Sequence, residues 1–210
     1  RDVERSRGLG DVYKRQICAF PREMYKVYKQ PGSQSSGGVI KENEWGIKYK
    51  IIDDMDWYLE GPIKTVEDIE KYEPPDPLLP YRVENLKEIS RIVKDDLAIA
   101  GMVGGPFTIG ILLFGFVNFM RMLHIVPRSI QIIMEKISRF GTEFGKLSID
   151  MGADIIWITD DLGMSDGPFL SPLAFRKYVF PSMKKMVEAF KKRGAKILLH
   201  SDGQIMPLMD

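Results

Sequence analysis

From Leu97 onward the chain alternates apolar, strand-like runs with long helical stretches, and each run finishes in small or ligand-type residues. Leu97–Val103 leads into Gly104-Gly105-Pro106-Phe107-Thr108, Asp154–Thr159 into Asp160-Asp161-Leu162-Gly163, and Ala195–Leu199 into His200-Ser201-Asp202-Gly203. Strands joined by helical crossovers run parallel, since only antiparallel neighbours can share a tight turn. Parallel strands present their carboxyl ends along one edge, where α/β enzymes build their sites. The pattern therefore predicts an α/β fold whose three strand exits meet at one site, and an enzyme.

The crossovers carry their own signals. After Pro127, Ile130, Ile133, Met134, Ile137, Phe140, Phe144, Leu147 and Met151 form one apolar helical face, with Gly141 and Gly145 expected as close-packing points. Ser171 caps a second helix with Pro172 at its first position, and Pro181 is expected to kink it before Gly194 closes it. Upstream, alternation across Val39–Ile52 around Asn43-Glu44-Trp45-Gly46 predicts a hairpin, preceded by a loop at Gln34–Gly38. Thr65 with Asp68 marks a short helix that must end before Pro74-Pro75. Arg82–Lys94 reads as an amphipathic helix through Val83, Leu86, Ile89 and Val93.

Composition removes several classes. Thirty basic residues against 29 acidic give no signature of nucleic-acid or anionic-membrane binding. A single cysteine, Cys18, excludes a disulfide framework and a thiolate metal cage. The uncharged stretch Leu97–Met120 is divided by Gly101, Gly104, Gly105 and Pro106, leaving less than the roughly 20 residues a spanning helix needs. A cytoplasmic protein without membrane or nucleic-acid partners is expected. Arg1–Gln16 resembles translated adapter sequence, so residues 1–16 are expected to stand apart from a domain at 17–210, itself incomplete at both ends.

The loops narrow the chemistry. His200 and Asp202 are two residues apart at a strand end, so both side chains project to one face. An imidazole and a carboxylate suit zinc, while a His–Asp hydrogen bond or a carboxylate that binds substrate N–H groups are the rival readings. Asp160 and Asp161 are adjacent and so face opposite ways: one is expected at the site, the other capping a loop or helix. Carboxylates crowded near Asp202 raise one another's pKa and can retain a proton. Gly104-Gly105-Pro106-Phe107-Thr108 can bring backbone close to a flat ligand with Phe107 as an apolar wall, but it lacks the lysine and spacing of a nucleotide loop. Asp166 belongs to an ordinary Ser-Asp-Gly-Pro turn, and His124 to a helix core or end.

In this order, Trp45-Gly46, Pro74-Pro75-Asp76-Pro77, Gly101-x-x-Gly104-Gly105-Pro106-Phe107-Thr108, the Pro127 helix, Asp160-Asp161-Leu162-Gly163, Ser171-Pro172 and His200-Ser-Asp-Gly203 resemble the uroporphyrinogen decarboxylase superfamily. The resemblance covers most of residues 39–210. It implies a (β/α)8 TIM barrel, here partial and truncated at both ends. It also implies catalytic roles for Asp160, Asp161 and Asp202, and substrate binding by Gly104, Gly105, Phe107, Thr108 and Asp161. The superfamily holds two chemistries. Decarboxylases of porphyrin biosynthesis remove carboxyl groups from uroporphyrinogen without a metal, but their arginine motif has no match here. Where they carry Phe-Asp-Ser-Trp-Ala-Gly, this chain has Thr159-Asp160-Asp161-Leu162-Gly163, and the added carboxylate would oppose a polycarboxylate substrate.

The other branch resembles methylcobamide-dependent methyltransferases, in which zinc activates a thiol. Their His-x-Cys-Gly pattern corresponds to His200-Ser201-Asp202-Gly203, with Asp202 in place of the thiolate. That branch implies zinc on His200 and Asp202, and a corrinoid as substrate or as the cofactor of a partner protein. A methyltransferase with a small-molecule substrate is the expectation. Uroporphyrinogen decarboxylation is the alternative, and a non-catalytic ligand-binding barrel the third reading.

Overall fold

The computed structural model describes residues 25–28, 39–52, 55–93 and 97–209. The 1–16 segment, Cys18 and the 34–38 loop lie outside the described residues. Four antiparallel strands come first: β1 (Tyr25–Tyr28), β2 (Val39–Asn43), β3 (Lys48–Ile52) and β4 (Met55–Glu60), in that spatial order. The predicted hairpin is β2–β3. Its turn closes because the Asn43 side-chain oxygen accepts both the Trp45 and Ile47 amides at 3.0 Å, while Gly46 takes a φ of 75°. β4 was not expected, although Met55, Trp57 and Leu59 alternate with Asp56, Tyr58 and Glu60 in its sequence.

α1 (Val66–Lys71) starts on a capping box in which the Asp68 amide donates to Thr65 Oγ1 and the Thr65 amide donates to Asp68 Oδ2. α2 (Glu84–Val93) follows a single 3-10 turn. That turn carries Arg82, only 4% exposed, whose guanidinium pairs with both oxygens of Glu44 and donates to the Asp76 carbonyl. This buried fork pins the hairpin turn to the proline-rich segment.

The rest alternates as read. β5 (Ala100–Gly104) leads to α3 (Pro106–Phe114), α4 (Phe116–Ile125) and α5 (Pro127–Asp150). β6 (Ile155–Thr159) leads to the two-residue strands β7 (Gly163–Met164) and β8 (Gly167–Pro168), then α6 (Pro172–Tyr178), α7 (Phe180–Lys192) and β9 (Lys196–His200). Strands β5, β6 and β9 form a parallel sheet in that order, and their last residues, Gly104, Thr159 and His200, lie side by side. Among the described residues this sheet is open, with no closed barrel.

Its two faces differ. Val103, Ile156 and Ile158 are buried in a cluster that α7 enters with Met186 and Phe190. α5 packs against both β5 and α7, and glycine is what lets it approach. A Cβ on Gly141 would stand 2.7 Å from Met186 and one on Gly145 2.3 Å from the Phe190 ring. The opposite face, bearing Met102, Ile155, Trp157 and Leu198, is only partly covered.

One helix expectation is corrected. The Ser171 helix is not one kinked element. Pro181 has no N–H to donate and crowds the carbonyl four residues earlier, so α6 ends at Tyr178 and Pro181 sits in the first turn of α7. The apolar segment after Pro106 forms two helices, bent by 104° at Gly115, where φ is 77°. No single helix among the described residues is long and apolar enough to cross a membrane.

Candidate active site

The three strand exits meet. The Gly105 amide donates to the Thr159 carbonyl at 2.7 Å, and the Asp160 amide donates to the His200 carbonyl at 2.9 Å. These bonds extend the parallel ladder one step past the strands and bring the three loops together.

Asp160 lies inside this junction with no exposed surface. Its carboxylate accepts the Thr108 amide at 2.7 Å and the Phe107 amide at 3.4 Å. Those amides belong to the first turn of α3, whose cap residue Gly105 offers no side chain of its own. Asp160 therefore caps α3 from across the sheet, where free N–H groups and the helix dipole favour an anion. Gly105 is required by the same contact, since a Cβ there would stand 2.2 Å from the Asp160 Cβ. Burial outweighs the hydrogen bonds and pushes the Asp160 carboxyl up to about 7; the neighbouring Asp161 charge adds to the rise.

Asp161 points the other way, into a half-open mouth. Its amide donates to Thr108 Oγ1 at 2.8 Å, and its carboxylate accepts the Asp202 amide at 3.0 Å. His200 Nε2 stands 3.6 Å from Asp161 Oδ1 and 3.6 Å from Asp202 Oδ1, beyond direct hydrogen bonding. Ligand atoms of these three residues all lie within 4.8 Å of one another, the only such grouping among the described residues. The mouth is acidic and wet: Asp202 is 83% exposed at its side chain, His200 40%.

The expected residues thus divide. His200, Asp161 and Asp202 are together at the opening, while Asp160 is beneath it. Phe107 is corrected: it is no wall for a ligand but a core residue with no exposed surface, packed against Phe119 and Phe169 at centroid distances of 5.6 and 6.0 Å. Thr108 is part-buried and engaged in the loop junction. His124 is exposed in the last turn of α4, away from these loops. Asp166 is exposed in the turn between β7 and β8.

Three contributors had no role of their own in the sequence reading. Ser201 Oγ accepts the Leu162 amide at 2.8 Å, tying the second exit to the third. The signal was available, since a residue between His200 and Asp202 must face the other way. Gly203, at φ 80°, passes so close to Gly163 that a Cβ would stand 2.6 Å from its backbone. Trp157, one layer below His200 on the open face, meets its ring edge-on at 5.9 Å.

The family model described as uroporphyrinogen decarboxylase (URO-D) matches residues 39–210, which includes every residue of this junction. The chain belongs to the URO-D family. Among curated relatives, the uroporphyrinogen decarboxylase of Geobacter sulfurreducens is 26% identical over 147 residues, covering 66% of this chain and 42% of the relative. That of Myxococcus xanthus is 22% identical over 210 residues, covering 92% of this chain and 59% of the relative. The URO-D chain thus spans about half the length of the curated relatives it matches. Among solved structures, a methyltransferase from Methanosarcina mazei superposes with a TM-score of 0.67 at 22% identity, over 79% of this chain and 49% of its own. That likeness shows a shared fold.

Proposed function

We propose that this URO-D family chain is part of a methyltransferase that uses a corrinoid as methyl donor and a thiol as acceptor, around a zinc site at His200, Asp161 and Asp202. The observation that carries the reading is the meeting of one imidazole and two carboxylates at two aligned strand exits, those of β6 and β9. The donors fit the ion chemically. Zinc takes histidine nitrogen and carboxylate oxygen at about 2 Å, so ligand atoms of a tetrahedral site lie roughly 3.3 Å apart. The 3.6 Å spacings here are close to that. They are also too long for hydrogen bonds that would otherwise satisfy the imidazole nitrogen.

A bound zinc supplies the Lewis acidity that lowers a thiol's pKa and raises the share of its nucleophilic thiolate. His200, Asp161 and Asp202 would hold the ion at the mouth. The partly covered face of Met102, Trp157 and Leu198 supports a partial (β/α)8 barrel, because parallel sheets bury both faces and a barrel fills its interior with such layers. Within it, Trp157 would screen the base of the mouth from water. Methyltransferase chemistry is also known for a protein of the same fold, the Methanosarcina mazei neighbour.

The second reading is uroporphyrinogen decarboxylation, favoured by the names of the curated relatives at 22–27% identity. The exposed carboxylates of Asp161 and Asp202 oppose it, since they would repel a polycarboxylate. In the complete protein, metal analysis and methylcobalamin demethylation separate the two. Loss of both zinc and methyl transfer in His200→Ala supports the proposal. Metal-free protein that decarboxylates uroporphyrinogen efficiently sinks it.

A further inference from the structure

Thr108 stands between the buried carboxylate and the mouth. Its amide donates to Asp160 Oδ1 at 2.7 Å, and its hydroxyl oxygen accepts the Asp161 amide at 2.8 Å. The amide and the hydroxyl of Thr108 are thus both engaged inside the loop junction. Asp160 is itself immobilised, capping α3 and wedged against Gly105. Position passes from the first turn of α3, through the Thr108 hydroxyl, to the Asp161 backbone. The Asp161 carboxylate then fixes the start of the third loop by accepting the Asp202 amide.

We infer that Thr108 is a positioning residue: its hydroxyl ties the Asp161 backbone to the first turn of α3 and so sets where the Asp161 carboxylate stands relative to His200 and Asp202. The inference rests on the metal-site reading for its consequence, because Asp161 is one of the three ligands there. Residues that orient metal ligands change metal affinity by about 10- to 100-fold when removed. Their loss leaves the ligand free to wander.

The test compares Thr108→Val, which keeps the shape and loses the hydroxyl, with Thr108→Ser, which keeps the hydroxyl. Three quantities are read: hydrogen exchange at the Asp161 amide without metal, the zinc dissociation constant by chelator competition, and the thermal midpoint. Thr108→Val is expected to quicken exchange at Asp161 by about tenfold or more with the Ile158 amide unchanged, and to weaken zinc by about 10- to 100-fold. Thr108→Ser is expected within about threefold of wild type in both. Wild-type exchange in Thr108→Val, wild-type zinc affinity with only a lowered thermal midpoint, or equal defects in both variants would each overturn the inference. Wild-type protein that takes no zinc removes the metal reading alone. The exchange comparison then still decides, with quickened exchange confined to Thr108→Val upholding the coupling and unchanged exchange refuting it.

Discussion

Replacing Asp160 by Asn tests the buried carboxyl directly. In the folded chain its pKa is about 7 against an ordinary 3.8, with burial the largest cause. The folded state therefore holds the proton more tightly than the unfolded one. Stability from this group is fully present below about pH 4 and is lost as pH rises towards 7 and through it. At about 1.4 kcal/mol per pH unit, the loss is about 4 kcal/mol. Asparagine has nearly the same shape and no charge, so the variant lacks this slope. It should cost about 1 kcal/mol at low pH, where its amide group opposes the Phe107 N–H, and should overtake wild type by about pH 5. Urea unfolding at pH steps from 4 to 8 measures the difference. Parallel stability curves for Asp160→Asn and wild type would refute the argument, because they would mean that the carboxyl is not titrating inside the fold.

Other perturbations probe the scaffold. Gly145→Ala should destabilise by about 1–3 kcal/mol in urea, since the new methyl would stand 2.3 Å from the Phe190 ring; adding Phe190→Leu should recover part of that loss. Arg82→Met should cost about 3–5 kcal/mol, because it leaves the Glu44 carboxylate and the Asp76 carbonyl without their partner; Arg82→Met with Glu44→Gln should cost less than Arg82→Met alone. Thr65→Ala should lower stability by about 1 kcal/mol through loss of the α1 cap. The last is expected to leave zinc affinity unchanged, which a chelator titration checks.

The sequence by itself determined that three runs after Leu97 become strands, that these lie parallel, and hence that Gly104–Thr108, Asp160–Gly163 and His200–Gly203 share one edge. These follow from local periodicity and from the handedness of crossovers, which need no knowledge of distant partners. Capping at Thr65 and Ser171 and the close packing at Gly141 and Gly145 were legible for the same reason. The choice between Asp160 and Asp161 was not. Alternation says that they face opposite sides, and Ile156, Ile158 and Asp160 turn out to share the buried one. But Ile155 and Trp157 are as apolar as Ile156 and Ile158, so composition names no buried face in this strand. Only the packing of α5 and α7 against one side decided it. Likewise, nothing near Thr108 in the chain announces Asp161 as its partner 53 residues away. Such pairings depend on distances that exist only after the strands have aligned, whereas the strands themselves depend on residues two to four positions apart.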